Sequence, residues 1–150
     1  MRDRRQKIER LSRLVDLRQI SVEECERQVR HAELRLARAE ERLRDERGSF
    51  DRLQAAFSHP EAWTGFDLRQ TEAALNASLA RQAKFAQDVE NAKSWVAEAR
   101  RRWTESRRDK KVVEKVRERR LQHAEREKEY RAQQATDETA ITRHRRRESD

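Results

Sequence analysis

Residues 8–57 read IERLSRLVDLRQISVEECERQVRHAELRLARAEERLRDERGSFDRLQAAF, and the spacing of the apolar side chains in this run decides the fold. With Ile8 at heptad position a, the a series is Ile8, Val15, Val22, Val29, Leu36, Leu43, Phe50 and Phe57, all apolar. The d series is Leu11, Arg18, Cys25, Ala32, Ala39, Glu46 and Leu53, of which five are apolar or small. A 3-4 spacing that never slips across about 50 residues is the mark of a coiled coil. A disordered chain of equal charge would not hold it. Ala32 and Ala39 permit close approach of a partner helix. Arg18 and Glu46 weaken the seam locally, where a long stem can carry its polar head out to water.

Working outward, a second periodic segment follows. With Leu68 at a, the a positions are Leu68, Leu75, Gln82, Val89, Val96 and Trp103, and the d positions are Thr71, Ser78, Phe85, Ala92 and Ala99. Beyond Trp103 the pattern thins to Ser106, Lys110 and Val113, with a ragged stripe of Val112, Val116 and Leu121. Between the segments lies Ser58-His59-Pro60-Glu61-Ala62-Trp63-Thr64-Gly65-Phe66-Asp67, the one plausible break. Pro60 lacks an N–H and clashes with a preceding turn, so it stops the first helix. Ser58 with Glu61 and Thr64 with Asp67 both fit a capping box. A short link between two periodic helices makes them antiparallel neighbours.

The predicted fold is therefore all-α, a long two-helix antiparallel coiled-coil hairpin forming a single domain over residues 1–150. Helix 1 is expected over about 3–58, the turn over 59–66, helix 2 over 67–135 and a frayed tail over 136–150. A turn centred near residue 62 gives facing positions that total about 125, pairing Phe57 with Leu68, Phe50 with Leu75, Val29 with Val96 and Val22 with Trp103, with Ile8 near Arg117. Each arm would span roughly 75–100 Å at 1.5 Å per residue.

The composition agrees. Charged residues are 44% of the chain and apolar ones 34%, too few for a broad core, and only 2 Gly and 1 Pro punctuate it. The net charge of +8 is uneven. Residues 1–59 contribute +3, residues 60–99 contribute −2 and residues 100–150 contribute +7. A basic excess of this kind can meet nucleic acid, anionic lipid or an acidic protein surface, although most helical charge runs are solvated faces. One cysteine, Cys25, excludes an internal disulfide framework. No stretch approaches the roughly 18–20 apolar residues of a membrane span, so a cytoplasmic location is expected.

The residues that could carry chemistry do not converge. His31, His59, His123 and His144 are scattered, Cys25 has no ligand partner, and the two glycines, Gly48 and Gly65, form no phosphate loop. The carboxylates alternate with Arg and Lys at helical spacing, as surface pairs do. A two-stranded rod offers no concavity, so no catalytic site, cofactor, metal or small-molecule substrate is expected. Binding surfaces remain. Toward the turn lie Phe50, Leu53, Phe57, Trp63, Phe66 and Leu75, most of which also fit the seam. Trp103 is a seam residue, and Trp95, at g, lies on its flank. The third surface is the basic run Arg100, Arg101, Arg102, Arg107, Arg108, Lys110 and Lys111. It wraps around the helix and has no interleaved aromatics, which argues against nucleic acid.

The run Lys111-Val112-Val113-Glu114-Lys115-Val116-Arg117-Glu118-Arg119-Arg120, followed by Gln122-His123-Ala124-Glu125-Arg126-Glu127-Lys128-Glu129 and then Asp137-Glu138, resembles the FliJ/YscO family. Together with the length and the helix–turn–helix plan, the resemblance covers nearly the whole chain. It implies a coiled-coil stalk protein of type III secretion, flagellar or virulence-associated. Such a stalk sits at a hexameric secretion ATPase, touches the cytoplasmic domain of the export gate and in some members binds secretion chaperones. It meets the membrane only through the apparatus. On this chain the resemblance points Arg100–Arg102, Arg107, Arg108, Lys110 and Lys111 toward the ATPase and the region of Phe50, Leu53, Phe57, Trp63, Phe66 and Leu75 toward the gate. Two other readings stand beside it: a generic coiled-coil scaffold or adaptor, and a basic nucleic-acid-binding helical protein.

Overall fold

The computed structural model describes the backbone of residues 2–58 and 64–148 and the side chains of 5–58 and 64–145. It contains two helices, α1 (Arg2–Phe57) and α2 (Gly65–Glu148), and no strand among the described residues. The two helices pack against each other in antiparallel fashion, as the heptads predict.

The chain divides into two compact units. One comprises Met1–Val22 with Ser106–Asp150, the other Glu23–Glu105. In the first unit, Ser106 Oγ donates to Ser21 Oγ at 3.2 Å and Arg18 lies 3.7 Å from Asp109. Its buried residues are Val15, Val22 and Ser106. In the second unit, Ser78 and Arg81 reach Glu46, Arg35 stacks on Trp95, and Arg100 donates to Glu33 at 2.6 Å. Its buried residues are Ala32, Ser78, Val89, Ala92 and Val96. All of these are a or d positions, which is what a seam one side chain wide should bury.

The register differs from the one expected. The interhelical pairs total between 124 and 133 and centre on 128, not 125, a shift of three residues along α2. The reason is steric. Reversing one helix brings an a residue level with a d residue of its partner. In the second unit a total near 128 sets Ala32 level with Val96, Ala39 with Val89, and Ala92 with Leu36, so a small side chain meets a larger one in these three layers. The expected pairing of Val29 with Val96 and Phe50 with Leu75 would stack large on large and set Ala32 near Ala92, small on small, across a gap.

The termini of the helices are set by local hydrogen bonds. Ser58 closes α1: its N–H reaches the carbonyls of Gln54 and Ala55, and its Oγ donates to Gln54 O at 3.0 Å. The Glu61 half of the Ser58/Glu61 spacing, with Pro60 and Trp63, lies outside the described residues. Thr64 and Asp67 form the expected capping box. The Thr64 N–H donates to Asp67 Oδ2 at 2.9 Å and the Asp67 N–H to Thr64 Oγ1 at 3.3 Å. With Thr64 as the cap, α2 begins at Gly65, two residues before the expected start. Its far end also differs: α2 continues to Glu148, where a frayed tail from about residue 136 was expected. No Gly or Pro follows Gly65, and Ala, Gln, Glu and Arg, all strong helix formers, dominate from residue 124 onward. Thr136, Thr139 and Thr142 each return a hydroxyl bond to the carbonyl four residues back, at 2.9, 2.6 and 2.8 Å. The absence of an apolar stripe removes the packing there without removing the helix.

Candidate partner-binding surfaces

The seven basic residues singled out by sequence do not form one site. Arg100, Arg101 and Arg102 belong to the second unit, and each is engaged by a carboxylate of the same chain. Arg100 pairs with Glu33, while Arg101 and Arg102 converge on Glu98 at 3.1 and 3.0 Å. The hydrogen bonds from Arg101 and then Arg102 hold the Glu98 carboxyl below its ordinary range. Arg107, Arg108, Lys110 and Lys111 belong to the first unit. Lys110 occupies an a position, half-buried, and pairs with Glu114 at 3.2 Å. Arg108 and Lys111 are exposed.

The division into units sharpens the charge asymmetry. The first unit carries 22 basic and 13 acidic residues, a net +9; the second carries 15 and 16, a net −1. The whole positive excess of the chain thus belongs to one unit. That unit also presents apolar side chains outside its seam: Leu14, Leu17 and Ile20 on α1, Val112, Val116 and Leu121 on α2, all 38 to 63% exposed. Leu14 and Val116 are g positions and Leu17 and Val112 are c positions. They share the flank on which Ser21 meets Ser106 and Arg18 meets Asp109. The sequence reading noted Val112, Val116 and Leu121 as a ragged stripe and missed Leu14, Leu17 and Ile20. The available signal was their heptad position, since an apolar residue at c, f or g does not serve a two-stranded seam.

Toward the turn, the candidates also separate. Phe50, Leu53 and Leu75 are half-buried seam residues. Phe57 and Phe66 are 37 and 62% exposed, and Leu68 beside them is 38% exposed. Trp63 lies outside the described residues. Among the described residues, the accessible apolar side chains here are Phe57, Phe66 and Leu68.

Elsewhere in the second unit the seam contains a polar layer. Ser78, fully buried, donates to Glu46 Oε1 at 2.6 Å, and Arg81 Nε donates to the same oxygen at 3.0 Å. The bond from Ser78, supported by Arg81, holds the Glu46 carboxyl below the usual glutamate range against the opposing effect of desolvation. Glu46, expected only to weaken the seam, is thus fully engaged within it. An open groove, not expected for two strands, is lined by Glu40, Arg44, Arg47, Asp51, Glu90 and Lys93 beside Leu43 and Val89. It gathers charges of both signs with no Ser, Cys or His among them, which suits a solvated flank. Among the described residues no cluster of metal-ligating side chains forms and no helix is long and apolar enough to cross a membrane.

These features define a class: a two-helix, antiparallel coiled-coil protein. Residues 6–149 match the family model described as "Flagellar FliJ protein". The match covers nearly the whole chain, and the protein belongs to that family, a structural component of flagellar and type III export. No curated protein and no solved structure gives a match.

Proposed function

We propose that this protein is the non-enzymatic central stalk of a type III export apparatus, working in the cytoplasm at the base of the secretion machinery. It would link a hexameric export ATPase to the cytoplasmic domain of the export gate. The observation that carries this reading is the confinement of the entire net positive charge, +9, to the unit that also exposes Leu14, Leu17, Val112 and Val116. A basic, partly apolar surface on a helical pair suits an ATPase channel lined with acidic and carbonyl groups. Phe57, Phe66 and Leu68, near the turn, supply the apolar anchors for the gate. Escort of secretion chaperones belongs to the same reading and would use whichever flank the two larger partners leave open.

The test is a charge reversal that spares the fold. Arg108, Lys111 and Lys115 are exposed, and R108E/K111E/K115E should weaken binding to the cognate ATPase by about tenfold or more at 0.1 M salt, while the circular dichroism spectrum is kept. Unchanged binding, with secretion also unchanged, would remove the first unit from the ATPase contact. Phe66→Ala should leave ATPase binding intact and reduce capture of the gate's cytoplasmic domain.

A further inference from the structure

Ion pairs occur on both flanks of the second unit: Arg81 with Glu46 and Arg102 with Glu98 on the g flank, Arg100 with Glu33 and Lys93 with Glu90 on the e flank. On the g flank, α1 presents Arg35, Arg38 and Arg42 at positions g, c and g, one line along the helix. None of the three has a carboxylate within salt-bridge distance among the described residues. Beside them α2 presents Trp95, at g and 49% exposed. The Arg35 guanidinium lies 3.9 Å from the centre of the Trp95 ring. Stacking of this kind holds the guanidinium flat and leaves its N–H edge pointing away from the ring, ready for a carboxylate. It also covers one indole face and leaves the rest of the ring half open. Tryptophan and arginine are the residue types that most often dominate interface energetics.

The geometry points to this flank as a docking surface for an acidic amphipathic helix of a partner protein, with carboxylates on Arg35, Arg38 and Arg42 and an apolar side chain against Trp95. Charge complementarity carries the choice of occupant. Arginines at spacings of three and four on one helix match carboxylates at the same spacings on another laid alongside it. A nucleic acid fits less well, because the flank has one aromatic platform and stacking along a strand needs several. Asp88 and Glu98, on the same flank of α2, repel carboxylates and phosphates alike and confine the partner's acidic groups to the α1 side of the flank. The surface belongs to the unit with net charge −1, so it is independent of the basic surface assigned above to the ATPase.

The test uses the full chain, ¹⁵N-labelled, with the Trp95 indole N–H resonance assigned by Trp95→Phe. The probe is a synthetic helical peptide with glutamates at i, i+3 and i+7 and leucines on the adjoining face. A scrambled peptide of the same composition spreads its glutamates around the helix. The helical peptide should shift the Trp95 indole signal. It should bind about tenfold or more weakly to R38E/R42E, whose exposed side chains have no ion-pair partner among the described residues to lose. The scrambled peptide should also bind about tenfold more weakly to the unaltered protein. Equal binding to R38E/R42E, equal binding of the two peptides, or shifts confined to the first unit would each overturn the assignment. So would a single-stranded oligonucleotide that perturbs Trp95 at lower concentration than the helical peptide.

Discussion

Replacing Val96 by alanine is a direct test of which apolar residues hold the two helices together. Val96 is 6% exposed and sits level with Ala32, itself 7% exposed. The substitution removes two methyl groups from a layer that already contains one small side chain. Their transfer from water is worth about 1.6 kcal/mol at ~0.8 kcal/mol per group. The cavity adds to this, but a two-stranded seam is open at its flanks and partly collapses, so a total loss of about 1.5–2.5 kcal/mol is expected. With a urea m-value of about 2 kcal/mol/M, the unfolding midpoint followed by circular dichroism should fall by roughly 1 M. Leu34→Ala is the control. Leu34 is a larger side chain, but it is an f residue and 50% exposed, and its truncation should cost under about 0.5 kcal/mol. A midpoint for Leu34→Ala as low as that for Val96→Ala would refute the heptad assignment from which the seam, the flanks and both proposed surfaces follow.

Three further outcomes are expected. In a Cys25→Ser background, Leu36→Cys with Ala92→Cys should oxidise to an intramolecular disulfide faster than Leu36→Cys with Val89→Cys, since three residues displace the partner by about 4.5 Å; non-reducing electrophoresis reads the difference, and the reverse order would restore the register taken from the turn. The Glu46 carboxyl is held below the ordinary glutamate value near 4.5, so its contribution to stability is complete above that value and is lost as pH falls through the lowered one; the urea midpoint of the wild-type protein should therefore fall more steeply on acidification than that of Glu46→Gln. Thr64→Ala removes the acceptor for the Asp67 N–H and should cost about 1 kcal/mol locally, visible as faster amide exchange over residues 65–68 with little change in the seam.

The hairpin, the seam residues and the Thr64/Asp67 cap were legible in the sequence because each depends on short-range periodicity or on groups three residues apart. The register was not. It depends on how the sizes of facing side chains sum across two helices, and a turn whose length is known only approximately cannot fix it to within one layer. The persistence of α2 to Glu148 was misjudged for a related reason: apolar spacing reports packing, whereas Ala, Gln and Glu sustain a helix through backbone propensity alone. The candidate surfaces were legible as regions and not as residues. Phe50, Leu53 and Leu75 turned inward with the seam, and Arg100–Arg102 found carboxylates on neighbouring turns and on α1. Leu14, Leu17 and Ile20 stood out only once the seam was known, because in sequence they merge with the apolar residues that fill it. The pairing of Arg35 with Trp95 joins positions 60 residues apart and depends on the register that the sequence left open.

The Glu46–Ser78–Arg81 layer bears on a hazard peculiar to repetitive helices. A seam of valines and alanines looks much the same after sliding by seven residues, about 10 Å, so purely apolar strands can settle into several staggered alignments of similar energy. A slide of that size would carry Glu46 away from both donors and leave its charge in the seam unanswered. The layer therefore acts as a notch in an otherwise smooth track, trading strength of adhesion for a single permitted alignment. A Glu46→Leu, Ser78→Leu double variant should grip more tightly and align less faithfully. In a protein whose flanking residues must present fixed patterns to large partners, fidelity of alignment is worth more than grip.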